Sequence, residues 1–119
     1  MNLNVIGNYI NDYKSIYVAY SGGIDSTALL YACFLLKEES KIKKLTAIHI
    51  NHNLSKNAKL WESHCYKICN QLDIKLIVKN IKIKISKDGL ESAARKARYD
   101  IFSNLIKKHE LLLIAHHAD

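Results

Sequence analysis

Proline is absent from this chain of 119 residues, glycine occurs only four times, and arginine is confined to Arg95 and Arg98. With no proline and no Gly- or Ser-rich tract, nothing marks a linker, and the length suits one domain rather than two. No apolar run approaches the roughly 20 residues that a membrane helix requires. The opening MNLNVIGNYINDYK lacks the basic head and apolar stretch of a secretory leader. Cysteines number three, an odd count that argues against a disulfide scaffold and fits a reducing compartment. These absences set the expectation of a cytoplasmic protein with no membrane partner.

What remains is an ordinary globular composition, 49% hydrophobic and 24% charged, which argues against wholesale disorder. The formal net charge is +7. Excess cation suits a nucleic-acid partner, because phosphate backbones reward clustered positive charge. Sixteen of the eighteen cations are lysines dispersed along the sequence, however, so general lysine richness accounts for the charge equally well.

Hydrophobic periodicity switches repeatedly between two residues and three to four. SIYVAY (15–20), LTAIHI (45–50), KLIVKNI (75–81) and LLLIAH (111–116) read as strands. Residues 26–38, 55–72 and about 90–109 read as helices, the second with Ser55 placed to cap it and apolar residues at 58, 61, 65, 68, 69 and 72. Leu3, Ile6 and Ile10 give the first dozen residues helical spacing. IKIKISK (81–87) alternates like an edge strand whose lysines are solvated or touch RNA. Strands alternating with helices predict right-handed βαβ crossovers, hence an α/β fold with a doubly wound parallel sheet of about four strands.

Two of the glycines lie side by side in SGGIDS (21–26), between the first strand and the first helix. In such sheets ligands bind beyond the carboxyl ends of the strands, where the strand order reverses. Gly22 and Gly23 are expected to adopt positive φ and admit a ligand close to the backbone. Successive N–H groups from Gly22 through Ile24 to Ser26 would then form an anion site reinforced by the helix dipole. Hydroxyls of Ser21, Ser26 and Thr27 would add donors. Asp25 beside phosphate needs a mediating cation, so it reads as a magnesium-facing carboxylate. The plainer alternative is a tight strand-to-helix turn with Ser26 as an N-cap. Five fixed positions at roughly 6% usage each recur by chance on the order of once in a million starts, which weakens that alternative. Neither a Walker A loop nor GxGxxG is present.

Three further segments carry chemistry. In AIHINHNLS (47–55), His49 and His52 read as strand-end histidines held by backbone, and Asn51 and His52 could equally line a base pocket. Zinc is unsupported, since no cysteine lies at partner spacing. In GLESAARKARYDIF (89–102), positions 91, 95 and 98 share a helical face. Glu91 can brace Arg95 at i+4, and a guanidinium fork reads phosphate bidentately where lysine does not. A surface salt bridge is the alternative. LLIAHHAD (112–119) places His116, His117 and Asp119 at the tip of the fourth strand, where they would hold magnesium or handle a proton if that strand flanks the first. Cys33, Cys65 and Cys69 sit at core spacing and read as packing.

SGGIDS resembles the pyrophosphate loop of the N-type ATP pyrophosphatases, the PP-loop family, which adenylate an oxygen and release pyrophosphate. Within that family the other segments resemble those of the tRNA(Ile)-lysidine synthases. His49, His52, Leu54 and Ser55 match the segment His-Val-Asn/His-His-Gly-Leu-Ser/Arg. Asn53 replaces its glycine, and asparagine tolerates a left-handed backbone. Gly89, Glu91, Ala94, Arg95, Arg98 and Tyr99 match Gly-x-Glu-x-x-Ala-Arg-x-x-Arg-Tyr, and His116, His117 and Asp119 match the start of His-His-x-Asp-Asp-Gln.

The resemblance implies a sheet of the adenine nucleotide alpha-hydrolase-like (HUP) type with strand order 3-2-1-4. Residues 1–119 would be the N-terminal part of a PP-loop ATP-binding catalytic domain, truncated, without a C-terminal tRNA-binding region, and inactive alone. The implied reaction ligates free L-lysine to C2 of the wobble cytidine of tRNA(Ile) with a CAU anticodon. It passes through an adenylated cytidine and releases AMP and pyrophosphate, with ATP and Mg2+ required. Ser21, Gly22, Gly23, Ile24, Asp25 and Ser26 would bind ATP and its pyrophosphate. Asp25, His117 and Asp119 would be catalytic, with Asp25 the magnesium ligand. His49, His52, Glu91, Arg95, Arg98 and His116 would contact nucleotide or tRNA. Two alternatives stand: a tRNA thiolase of the same family, disfavoured by missing cysteine pairs, and a non-catalytic nucleotide-binding module of related topology, whose members lack Ser-Gly-Gly-x-Asp-Ser.

Overall fold

Residues 15–19, SIYVA, form strand β1, and their side chains divide between two differently covered faces. Ile16 and Val18 are fully buried, whereas Tyr17 and Ala19 are half-buried. The computed structural model describes residues 10–53, 56–82 and 89–115, with the side chains of Leu90 and Glu91 outside the description. After β1 (Ser15–Ala19) come α1 (Ile24–Glu38), β2 (Leu45–Asn51), α2 (Ala58–Gln71), β3 (Lys75–Asn80), α3 (Leu90–Leu105) and β4 (Glu110–Ile114). The four strands form one parallel sheet in the order β3-β2-β1-β4, as expected.

Register determines which residues share a face. Ile16 pairs with Leu45 and Leu111, and Val18 with Ala47 and Leu113. These residues point the same way and pack with Leu29, Leu30, Cys33 and Leu36 of α1 and Cys65 and Cys69 of α2. Buried positions on α1 recur at three- and four-residue intervals, which lays one stripe of the helix on the sheet. The crossovers through α1 and α2 run in one direction across the sheet. The return from β3 to β4 runs the other way, so the same handedness carries α3 to the opposite face.

Several boundaries differ from the sequence reading. Helix α1 begins at Ile24 rather than 26, with Gly23 as N-cap, so Ser26 is inside the first turn and not the cap. Helix α2 begins at Ala58 after Asn57, not at 55. Ahead of it Asn53 turns the chain; its φ of 58° is left-handed and its N–H donates to Asn51 Oδ1 at 2.8 Å. Helix α3 stops at Leu105 instead of 109. Ile106 is extended, and a tight turn follows in which Lys107 N–H donates to Glu110 Oε1 at 2.7 Å. That turn also starts β4 one residue early. The strand expected over 81–87 lies largely outside the described residues, as do Leu3, Ile6 and Ser55; Ile81 and Lys82 are not in a strand.

Candidate functional site

The carboxyl end of β1 lies between those of β2 and β4, and the strand order reverses between β1 and β4. Tyr20 extends the strand by one bond, its N–H donating to Ile48 O at 2.8 Å. The chain then turns through Ser21, Gly22 and Gly23 into α1. Gly22 has φ of 91°. A Cβ there would sit 3.1 Å from Cys65 Sγ and 3.2 Å from Trp61 Cε3. Backbone conformation and close packing on α2 therefore both demand glycine at this position.

Gly23 differs from expectation. Its φ is −76° and ψ 175°, extended backbone open to any residue, so positive φ belongs to Gly22 alone of the pair. As N-cap it carries no side chain over the helix start. The first helical bond is Thr27 N–H to Gly23 O at 3.0 Å, and the N-cap residue makes no side-chain bond to the turn. The amides of Ile24 and Ser26 in that turn have no partner within the helix and lie at the positive end of its dipole. Ile24 itself is 88% exposed, so its contribution is backbone rather than side chain.

The hydroxyls brace the loop. Ser26 is buried; its Oγ donates to Gly23 O at 3.3 Å, accepts Ser21 N–H at 3.2 Å and lies 3.0 Å from Ser21 Oγ. Gly23 N–H donates to Ser21 Oγ at 3.3 Å. Thr27 Oγ1 donates to the Tyr20 hydroxyl at 3.3 Å. These short-range bonds hold the loop in shape without a ligand, the preorganisation an anion site needs. Burial raises the Tyr20 phenol above its ordinary pKa, partly opposed by the Thr27 bond.

The next strand supports the loop from behind. His49 is buried, with Nδ1 2.9 Å from Tyr20 O and 3.5 Å from Cys65 Sγ. A carbonyl accepts only, so Nδ1 carries the proton there. Asn51 is also buried; its Nδ2 donates to Glu62 Oε1 at 3.1 Å and to Ala58 O at 3.4 Å, tying β2 to α2. Of the two readings for His49, the geometry shows a backbone clamp on the residue preceding the loop.

His52 is placed differently. Its Nδ1 is buried yet lacks a hydrogen-bond partner, and its pKa is lowered by burial first, then by Arg98 and His49. Arg98 on α3 thus lies within electrostatic reach of the end of β2, and both Arg95 and Arg98 are exposed. Asp25 lies half-buried in the first turn of α1. Glu91's side chain and all of His116, His117 and Asp119 lie outside the described residues. Trp61 and Cys65, which form the back wall of the loop through Gly22, were legible only as apolar positions on α2.

Among the described residues no group of three His, Cys, Asp or Glu side chains gathers to hold a metal ion. Asp25, half-buried in the first turn of α1, is a hard oxygen donor of the kind that magnesium takes. The strand-to-helix turn thus lies at the strand-order reversal and carries no Walker lysine. A profile of the PP-loop domain matches residues 2–119. The chain belongs to the PP-loop domain family.

Curated relatives sharing this PP-loop segment include the tRNA(Ile)-lysidine synthase of Buchnera aphidicola subsp. Schizaphis graminum (strain Sg), 46% identical over 117 residues. That of Buchnera aphidicola subsp. Acyrthosiphon pisum (strain APS) is 50% identical over 115 residues, and each match covers 97% of this chain and 26% of the relative. That of Enterobacter sp. (strain 638) is 39% identical over 119 residues, 100% of this chain and 28% of the relative. The chain thus spans about a quarter of the length of the curated relatives it matches. No described helix is long and apolar enough to cross a membrane.

Proposed function

We propose that this PP-loop domain splits ATP into AMP and pyrophosphate to ligate lysine onto a cytidine of tRNA(Ile). The observation that carries this reading is the loop at 21–26, with left-handed Gly22 packed on α2 and the start of α1 placed beside the β1–β4 junction. The relatives' name, tRNA(Ile)-lysidine synthase, supports tRNA(Ile) as the substrate.

The chemistry explains the residue types. A base carbonyl oxygen is a poor leaving group until it is adenylated. In the proposed reaction the cytidine C2 oxygen attacks the α-phosphate of ATP, the bond to the β-phosphate oxygen breaks, and pyrophosphate departs. The amides of Gly22, Ile24 and Ser26 bind that departing charge, and the Ser21 and Ser26 hydroxyls, the first of which accepts Gly23 N–H, keep them aligned. Asp25 would hold magnesium, which when bound supplies neutralising charge to the phosphates. The ε-amine of lysine then attacks C2, and AMP leaves with the former C2 oxygen. That attack needs a neutral amine, and Asp25, His117 and Asp119 are the candidate proton acceptors. His52, with its unpartnered Nδ1, and Glu91, Arg95, Arg98 and His116 are assigned to nucleotide and tRNA contacts, while His49 braces the loop from behind through its bond to Tyr20 O.

The test is lysine incorporation by the full gene product, supplied with ATP, labelled lysine and tRNA(Ile) transcripts bearing cytidine or uridine at the wobble position. Label entering the cytidine transcript alone, with pyrophosphate released, is expected. Label in both transcripts, or in neither, contradicts the reading.

A further inference from the structure

A second surface lies at the other end of the sheet. A depression of about 400 Å³ opens at the amino ends of β2 and β3, between the carboxyl ends of α1 and α2. Lys37, Lys43, Lys44 and Lys75 line it against a single acid, Asp73. Lysines near helix carboxyl ends often serve as caps. Here that work is done by backbone: the carbonyls of Leu35, Leu36 and Lys37 accept from Glu39, Lys41 and Ser40, and those of Ile68, Cys69 and Asn70 from Leu72, Ile74 and Asp73. Among the described residues, none of the four lysines is in an ion pair; Lys41 pairs with Glu39 at 3.3 Å just outside. Four like charges facing one depression repel one another, and a polyanion relieves that cost.

The depression continues into a second, of about 520 Å³, through shared Cys69, Asn70 and Ile74. The second adds Lys67 and the half-exposed ring of Tyr66. Lysines meet phosphates as point charges, and an exposed aromatic ring accepts a stacked base of any identity. This combination favours unpaired nucleic acid over a lipid headgroup or a free phosphate, neither of which uses the ring. Strands of five to seven residues put the surface about 20 Å from the PP-loop, too far for one nucleotide to touch both.

We propose that a single-stranded stretch of RNA binds across these two depressions, its phosphates on Lys37, Lys43, Lys44 and Lys75 and one base on Tyr66. The RNA class rests on the proposed tRNA substrate; the site itself is separate from the nucleotide loop.

The test uses fluorescence anisotropy of a labelled single-stranded RNA oligonucleotide across a salt series, with ATP titrated in parallel. Lys43→Gln/Lys44→Gln/Lys75→Gln should lower the log–log salt slope by about two and weaken binding about tenfold or more at about 50 mM salt. Tyr66→Ala should weaken it about fivefold or more at all salt concentrations. ATP binding should not change in either variant. If the triple variant does not fold, Lys43→Gln/Lys44→Gln in the exposed connection should still lower the slope by about one. Unchanged RNA affinity and slope in the variants overturn the proposal. So does a wild-type chain that binds no oligonucleotide, or that binds phosphatidylserine vesicles instead. Loss of ATP binding in every form, with the RNA pattern intact, would refute the nucleotide-loop reading and leave this one standing.

Discussion

Gly22 is the residue where the demands of backbone and packing coincide. Alanine there must hold a left-handed φ and press on Cys65 and Trp61, whereas alanine at Gly23 meets only Ser21 Oγ at 3.4 Å. Gly22→Ala is therefore expected to cost about 1–3 kcal/mol of stability, and Gly23→Ala less than about 1 kcal/mol. Chemical denaturation of both variants checks the contrast; equal losses would contradict it. Asn53 shows what could be read in advance at this scale. A residue tolerant of left-handed backbone stood in a turn segment, and its φ is 58°. Gly23 shows what could not. Adjacent glycines look alike in a sequence, and only the packing of α2 against one of them separates their roles. His52 adds a pH signature. Its folded pKa lies below the ordinary 6.5, so the unfolded chain takes up the proton more readily. The stability this contributes is complete above the unfolded value and is lost as pH falls through the folded one. Denaturant midpoints at about pH 7.5 and about pH 5.5 should diverge more in the wild type than in His52→Asn. Equal divergence would refute the assignment.

Element by element, α1 and α2 do different work. Helix α1 supplies the first-turn amides and the core side chains Leu29, Leu30, Cys33 and Leu36. Helix α2 supplies the wall behind the loop and buries little beyond Cys65 and Cys69. The three thiols are deeply apolar: burial pushes Cys33 and Cys65 up to about 12 and Cys69 up to about 11. At neutral pH they remain protonated, so an aromatic disulfide reagent should leave the native protein unlabelled and modify three thiols in denaturant. Rapid native labelling would reopen the sulfur-transfer alternative. For the four described strands and three described helices, identity was legible because periodicity reports on burial, whereas the strand read over 81–87 does not include Ile81 or Lys82. The ends of α2 and α3 were not legible, because side-chain bonds made from a distance set them: Asn51 reaching Ala58 and Glu62, and Glu110 folding back on Lys107.

At the scale of the whole molecule, the sheet order β3-β2-β1-β4 puts the loop after β1 next to the strand that leads to the last motif. Register then aligns the buried side chains of three strands beneath α1 and α2, so the loop rests on a fixed platform. The lysines were counted correctly in the sequence but could not be located by counting. Only the fold gathers Lys37, Lys43, Lys44 and Lys75, from two elements and a connection, around one depression. The central claim is that the turn at 21–26 grips a departing pyrophosphate. Titrating inorganic pyrophosphate into the isotope-labelled protein while following backbone amide resonances tests it directly. Saturable shifts of the Gly22, Gly23, Ile24 and Ser26 amides, lost in Gly22→Ala, are predicted; a loop whose amides stay still while pyrophosphate binds elsewhere, or not at all, would contradict the account.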